Sequence, residues 1–154
     1  MKIINKPFVS IIMNCFNGEP FLKEAIESVY AQTYEHWEII LWDNGSTDNS
    51  SQIKNLFDEK LKYFYSENNV PLYEARNLAL DVCHGDVVAF LDCDDIWIVN
   101  KLEKQIAKYQ SGANIVYGAF ELINQSGKKI HRNIPKIRTG KITSHLLIKN
   151  MVSI

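Results

Sequence analysis

The 154-residue chain is 46% hydrophobic with a formal net charge of −1, enough apolar content for one sizeable core without covalent staples. Its three cysteines, Cys15, Cys83 and Cys93, form no Cys-x-x-Cys pair and leave an odd count, which argues against a disulfide framework or a zinc site. Met1 to Pro7 lacks the apolar core of a signal peptide, and no apolar run approaches the length of a membrane span, so a reducing, cytoplasmic setting is expected.

Strand and helix signals then alternate. Phe8 to Cys15 is a continuous apolar run of strand length, and Pro20 to Ala31 has helical spacing, with Phe21, Leu22, Ala25, Ile26 and Val29 on one face. Trp37 to Trp42 is a second strand. Asp43-Asn44-Gly45-Ser46-Thr47-Asp48 follows as a loop and N-cap, opening a helix to about Phe57. Leu61 to Tyr65 is a third strand and Glu74 to Val82 a helix stopped by Gly85. Asp86 to Leu91 is a fourth strand, and Asn100 to Gln110 another helix. Ile115 to Ile123 and Lys128 to His131 read as strands joined at Asn124-Gln125-Ser126-Gly127. This alternation predicts an α/β fold with a mostly parallel, doubly wound sheet and helices on both faces.

Charge is unevenly placed. Every charged residue after Glu121 is basic: Lys128, Lys129, Arg132, Lys136, Arg138, Lys141 and Lys149. A solvated hairpin and linker account for this as readily as contact with an anionic membrane surface or a phosphate-bearing acceptor. Nucleic acid is not an expected partner, because the basic residues are not interleaved with stacking aromatics.

The most informative stretch is Val87-Val88-Ala89-Phe90-Leu91-Asp92-Cys93-Asp94-Asp95, where a buried-strand pattern ends in three acids. In an extended chain Asp92 and Asp94 point one way and Cys93 the other. Two convergent carboxylates suit a hard divalent ion that completes its shell with water and ligand phosphates. They equally suit capping of the following helix, although open α/β sheets bind ligands at the carboxyl ends of their strands. None of the seven glycines belongs to a Gly-x-Gly-x-x-Gly or P-loop pattern, so a diphosphate here would depend on a metal. His36, His84, His131 and His145 show no ligand spacing.

Four segments in order, Phe8-Val9-Ser10-Ile11-Ile12-Met13-Asn14-Cys15-Phe16-Asn17, Trp42-Asp43-Asn44-Gly45-Ser46-Thr47-Asp48, Ala75-Arg76-Asn77 and Phe90-Leu91-Asp92-Cys93-Asp94-Asp95, resemble the signatures of family 2 glycosyltransferases with the GT-A fold. The resemblance implies a Rossmann-like sheet and a nucleotide diphosphate sugar donor, usually UDP-linked. It also implies inverting transfer to a saccharide or lipid-linked saccharide acceptor, in a setting such as bacterial surface polysaccharide synthesis at the inner face of the membrane. By the same resemblance Phe16 stacks on the base, Asp43 and Asn44 hold the uridine, and Arg76 lies on the nucleotide side. Asp92 and Asp94 hold Mn²⁺ or Mg²⁺, Asp92 also touching the nucleotide, and Asp95 is a sugar-contacting or supporting acid. Taken singly, Phe16 is equally a strand-end core aromatic, Asp43 and Asn44 an Asx turn or cap, and Arg76 a helix-surface partner of Glu74 or Asp81.

Some positions depart from the pattern. Asn44 stands where many members have a second aspartate, and Pro71 and Tyr73 stand where glycine and a small residue are frequent. No residue matches the family's general base. The expected organisation is therefore a donor-binding domain over 1–120 and, over 121–154, a basic hairpin beginning an incomplete acceptor-side region. The chain alone is expected to bind donor without turnover, and either to self-associate through its tail around Leu146, Leu147 and Ile148 or to be partly disordered after about Arg132. The alternatives are a noncatalytic nucleotide-sugar-binding module, or a subunit of a split enzyme. A nucleotidyltransferase is disfavoured by the single glycine in Asn14-Cys15-Phe16-Asn17-Gly18-Glu19-Pro20.

Overall fold

A computed structural model describes residues 6–124, 126–130 and 140. The expectations for Gln125, His131, Arg132, His145 and the Leu146-Leu147-Ile148 tail therefore lie outside the described residues. The chain divides into two compact units, one through Gly112 and one from Ala113.

The first unit is built on β1 (Val9–Cys15), β2 (Trp37–Asp43), β3 (Leu61–Tyr65) and β4 (Val87–Phe90), in the order β3-β2-β1-β4. All three pairings are parallel, with Cys15 level with Asp43 and Asp43 level with Tyr65. The central strands β1 and β2 are buried on both faces, as their unbroken apolar runs require. On one face α1 (Glu19–Tyr30), the Ile53 turn, Trp97 and α3 (Lys101–Gln110) enclose a core that includes Ile11, Met13, Ile39 and Leu41. On the other, Ala79 of α2 (Leu72–Asp81) covers Ile12 and Ile40, flanked by Trp42, Phe64 and Phe90. Helices thus lie on both faces of the sheet.

Local differences from the sequence reading have simple causes. Helix α1 starts with Glu19 and Pro20, which suit a first turn, and buries Leu22, Ala25, Ile26 and Val29; Phe21, expected on that face, is exposed because it falls one residue outside the stripe. Asp48 does cap the next element by accepting from Ser50 N–H, but that element is a 3₁₀ helix over Asn49–Asn55 rather than an α-helix to Phe57. Its Asn-Ser-Ser start competes for backbone hydrogen bonds, and only Ser50 and Ile53 are buried to reward a longer helix.

In the second unit β5 (Leu122–Ile123) pairs antiparallel with β6 (Lys129–Ile130). Asn124 Oδ1 accepts from Ser126 and Lys128 N–H, and Gly127 takes φ +72° to close the turn. The strand expected from Ile115 is confined to Leu122–Ile123. Among the described residues β6 offers only Lys129–Ile130 as partners, so no described rung extends β5 toward Ile115. Among the described residues no helix is long and apolar enough to cross a membrane.

Candidate donor-binding site

The carboxyl ends of β1, β2 and β4 bring the expected residues to one edge of the sheet. Phe16 follows β1 directly and is 51% exposed, so it is not a core aromatic. Asn17 takes φ +53°, a left-handed conformation that asparagine tolerates. Its Oδ1 accepts from Thr47 N–H at 2.9 Å, while Asn17 N–H donates to Ser46 Oγ at 2.9 Å. These bonds clamp the loop after β1 to the loop after β2. Sequence reasoning passed over Asn17, for which the Asn-Gly turn pair is the available signal.

Asp43 closes β2 and is 1% exposed. Its Oδ1 accepts from Ser46 N–H at 2.8 Å, as in an Asx turn, and its Oδ2 accepts from the Tyr63 hydroxyl at 2.6 Å. Burial, the hydrogen bond and the Asp43 charge push the Tyr63 phenol well above its usual range. Asn44 is also buried. Its Nδ2 donates to Val70 O at 2.7 Å and Asn69 Oδ1 at 3.2 Å, and its Oδ1 accepts from Val70 N–H. The amide thereby ties the segment before α2 to the end of β2, a bonding pattern that a carboxylate could not reproduce. Gly45 at φ +83° lets that segment approach: a Cβ there would lie 3.3 Å from Asn69 N.

Strand β4 ends at Phe90, and Leu91 N–H still bonds to Ile12 O. The extended geometry expected for Asp92 and Asp94 gives way to a turn, closed by Asp95 N–H to Asp92 O at 3.1 Å. The cause is local, since successive acids gain nothing from pairing in a sheet and instead favour a turn. Cys93 still points inward, against the core around Cys15, while Asp94 is exposed. Arg76 does not pair with Glu74 or Asp81. It reaches from α2 to Asp92 at 3.2 Å and lies over the Phe90 ring, 5.6 Å from its centroid.

Electrostatics at the turn favour a cation. Asp95 has an open surface, yet partial burial of its carboxyl and repulsion from Asp92 and Asp94 hold it above the ordinary carboxylate range, with Lys101 pulling the other way. Burial lowers Lys101 to about 8 despite Asp95, and its ammonium lies 3.9 Å from the Trp97 ring centroid. Among the described residues no three His, Cys, Asp or Glu side chains converge as a cage. Two carboxylates on one exposed turn match an ion such as Mg²⁺, which binds one or two carboxylates and takes its remaining ligands from water and phosphates.

A parallel sheet with acids at its carboxyl edge is common to several enzyme classes, and the family is decided by the match of residues 10–152 to the glycosyl transferase family 2 model. The chain belongs to glycosyl transferase family 2. It is 38% identical over 144 residues to the UDP-Glc:alpha-D-GlcNAc-diphosphoundecaprenol beta-1,3-glucosyltransferase WfgD of Escherichia coli, covering 92% of this chain and 55% of WfgD. The chain thus spans about half the length of this relative. Staphylococcus aureus TarS 1–349, solved in complex with UDP-GlcNAc, superposes with TM-score 0.60 at 25% identity over 75% of this chain and 40% of that one. The mannosyltransferase PcManGT of Pyrobaculum calidifontis, solved with GDP-Man and Mn²⁺, shares the fold with TM-score 0.62 at 22% identity, over 78% of this chain and 36% of that one. The α/β architecture is that of the GT-A neighbours.

Proposed function

We propose that this chain is the donor-binding part of a glycosyltransferase that uses a nucleotide diphosphate sugar, with UDP as the nucleotide, and transfers the sugar with inversion to an acceptor hydroxyl. The observation that carries the reading is the acidic turn Asp92–Asp95 at the carboxyl edge of β4, joined to Arg76 and held in a family 2 framework. Likeness to WfgD supports a UDP-sugar donor and a lipid-linked sugar acceptor, hence work at the inner face of the membrane in surface polysaccharide synthesis.

In this reading the exposed Phe16 ring stacks on the base and the β2 loop borders it. Asp43, held by Tyr63 and Ser46, fixes the polar wall of that pocket, and Asn44 holds the segment leading into α2. Asp94, with Asp92 in support, holds Mn²⁺ or Mg²⁺. When bound, the cation offsets negative charge on the departing diphosphate as a Lewis acid. Arg76 adds a second positive charge on the nucleotide side, and Asp95 faces the sugar or supports the turn. Donor binding is assigned to residues 1–120 and the start of an acceptor region to 121–154. Transfer needs a general base opposite the leaving group, and no residue here is matched to one, so the 154 residues alone are expected to bind donor without turnover.

Calorimetry with UDP tests the reading. Binding in Mn²⁺ or Mg²⁺ that is lost with chelator is the expected result, and equal binding in both conditions would remove the metal assignment. Transfer by these 154 residues to a defined acceptor would place a base within them.

A further inference from the structure

Two thiols meet beneath the acidic turn, and donor binding uses neither. The β1–β4 register pairs Ile12 with Phe90, and Leu91 N–H to Ile12 O continues it at 3.0 Å. The ladder ends there, and Cys93 lies two residues further on, inside the turn. The Cys15 and Cys93 side chains converge. A Cβ built on Gly18 would sit 2.7 Å from the Cys15 sulfur and 3.2 Å from the Cys93 sulfur, so both crowd one point. Cys15 is buried, Cys93 is half-buried and within reach of a small oxidant, and Cys83 is turned away, donating to Ala79 O on the α2 face.

We infer that Cys15 and Cys93 form a reversible disulfide site that ties the acidic turn to the end of β1. With hydrogen peroxide as oxidant, one sulfur takes an oxygen to become a sulfenic acid and releases water. The other thiol then displaces the hydroxyl, which leaves with a proton as a second water. In balance, two thiols and one peroxide give one disulfide and two waters, each sulfur surrendering one electron. Closing the sulfurs to bond length draws Cys93, which separates Asp92 from Asp94, toward the end of β1. Both carboxylates then move with the backbone between them. The site's existence is independent of the donor reading, and only its effect on binding rests on that reading.

The test treats the reduced 154-residue chain with peroxide and compares it with the Cys15→Ser, Cys93→Ser and Cys83→Ser forms. The expected product is about 2 Da lighter, yields a linked peptide pair containing Cys15 and Cys93, returns to starting mass with dithiothreitol, and forms in Cys83→Ser but in neither other variant. Slower hydrogen exchange over residues 91–96 in the oxidised form is the structural readout. With Mn²⁺ and UDP as probes, affinity is expected to fall roughly tenfold or more on oxidation, the scale on which disturbed metal sites lose their ions. Failure to link, or linkage through Cys83, overturns the proposal, as does linkage that leaves exchange over 91–96 unchanged. If the reduced chain binds no UDP, the donor reading fails, and the disulfide is still judged by mass and exchange.

Discussion

The two ends of the parallel sheet treat their acids in opposite ways. At the amino end Glu38 has a side chain only 3% exposed. Its Oε1 accepts from the Ser10 hydroxyl at 2.7 Å and His84 N–H at 2.9 Å, and Lys62 lies 2.6 Å from Oε2 in an ion pair set off the hydrogen-bond direction. Burial pushes this carboxyl up, but the Lys62, Ser10 and His84 contacts outweigh it, so the net shift is downward. At the carboxyl end Asp92 has one partner, Arg76, Asp94 faces water, and Asp95 is pushed up by its neighbours. An acid that the chain itself neutralises holds the fold, whereas the proposed function assigns a ligand to the acids left facing water and one another.

The comparison breaks most readily at Glu38. Glu38→Ala removes the acceptor shared by the buried Ser10 hydroxyl, the His84 backbone N–H and Lys62, and should cost about 3 kcal/mol of unfolding free energy in a denaturant titration, with UDP affinity of the folded chain unchanged. An affinity loss as large as the stability loss would couple the two ends. Asp94→Ala should do the reverse, removing roughly 10–100-fold of metal-dependent UDP affinity by calorimetry while the melting temperature holds. Phe16→Ala is expected to weaken UDP by about 1 kcal/mol or somewhat more through lost stacking, again without a stability change, since the ring is half-exposed. Arg76→Ala should lower affinity more than stability, and unfolding instead would make its Asp92 pair a packing device.

The smallest effect is pH-dependent. Because the Glu38 pKa is lowered on folding, its stabilisation is fully present above its ordinary value of 4.5 and is lost as pH falls through the lower folded value. The melting-temperature gap between the parent and Glu38→Gln should therefore be widest near neutrality and shrink in strong acid. A gap that widened on acidification would reverse the sign of this assignment.

Much of this was legible in the sequence because it depends on short-range pattern. The runs at Val9–Cys15 and Trp37–Asp43 could only be buried strands, and Asp92-Cys93-Asp94 announced itself by following one. Hidden from the sequence were pairings set by tertiary approach. Tyr63 on Asp43 and Asn69 with Val70 on Asn44 join residues at least twenty positions apart, and Arg76 reaches past its helical neighbours to Asp92. The Ser10–Glu38–Lys62–His84 cluster was missed for the same reason. Phe21 and the 3₁₀ turn failed more locally, at positions where one residue of phase or a few serines decide the outcome.

In the proposed function the carboxyl edge, and not the amino edge, receives the cation and the nucleotide. Paramagnetic broadening of amide resonances by Mn²⁺ in the presence of UDP measures this directly. Broadening should centre on Asp92, Asp94 and Asp95 and extend to Arg76 and the Phe16–Asn17 turn, leaving Ser10, Glu38, Lys62 and His84 sharp. Broadening centred on Glu38 and His84, or none that depends on UDP, would contradict it.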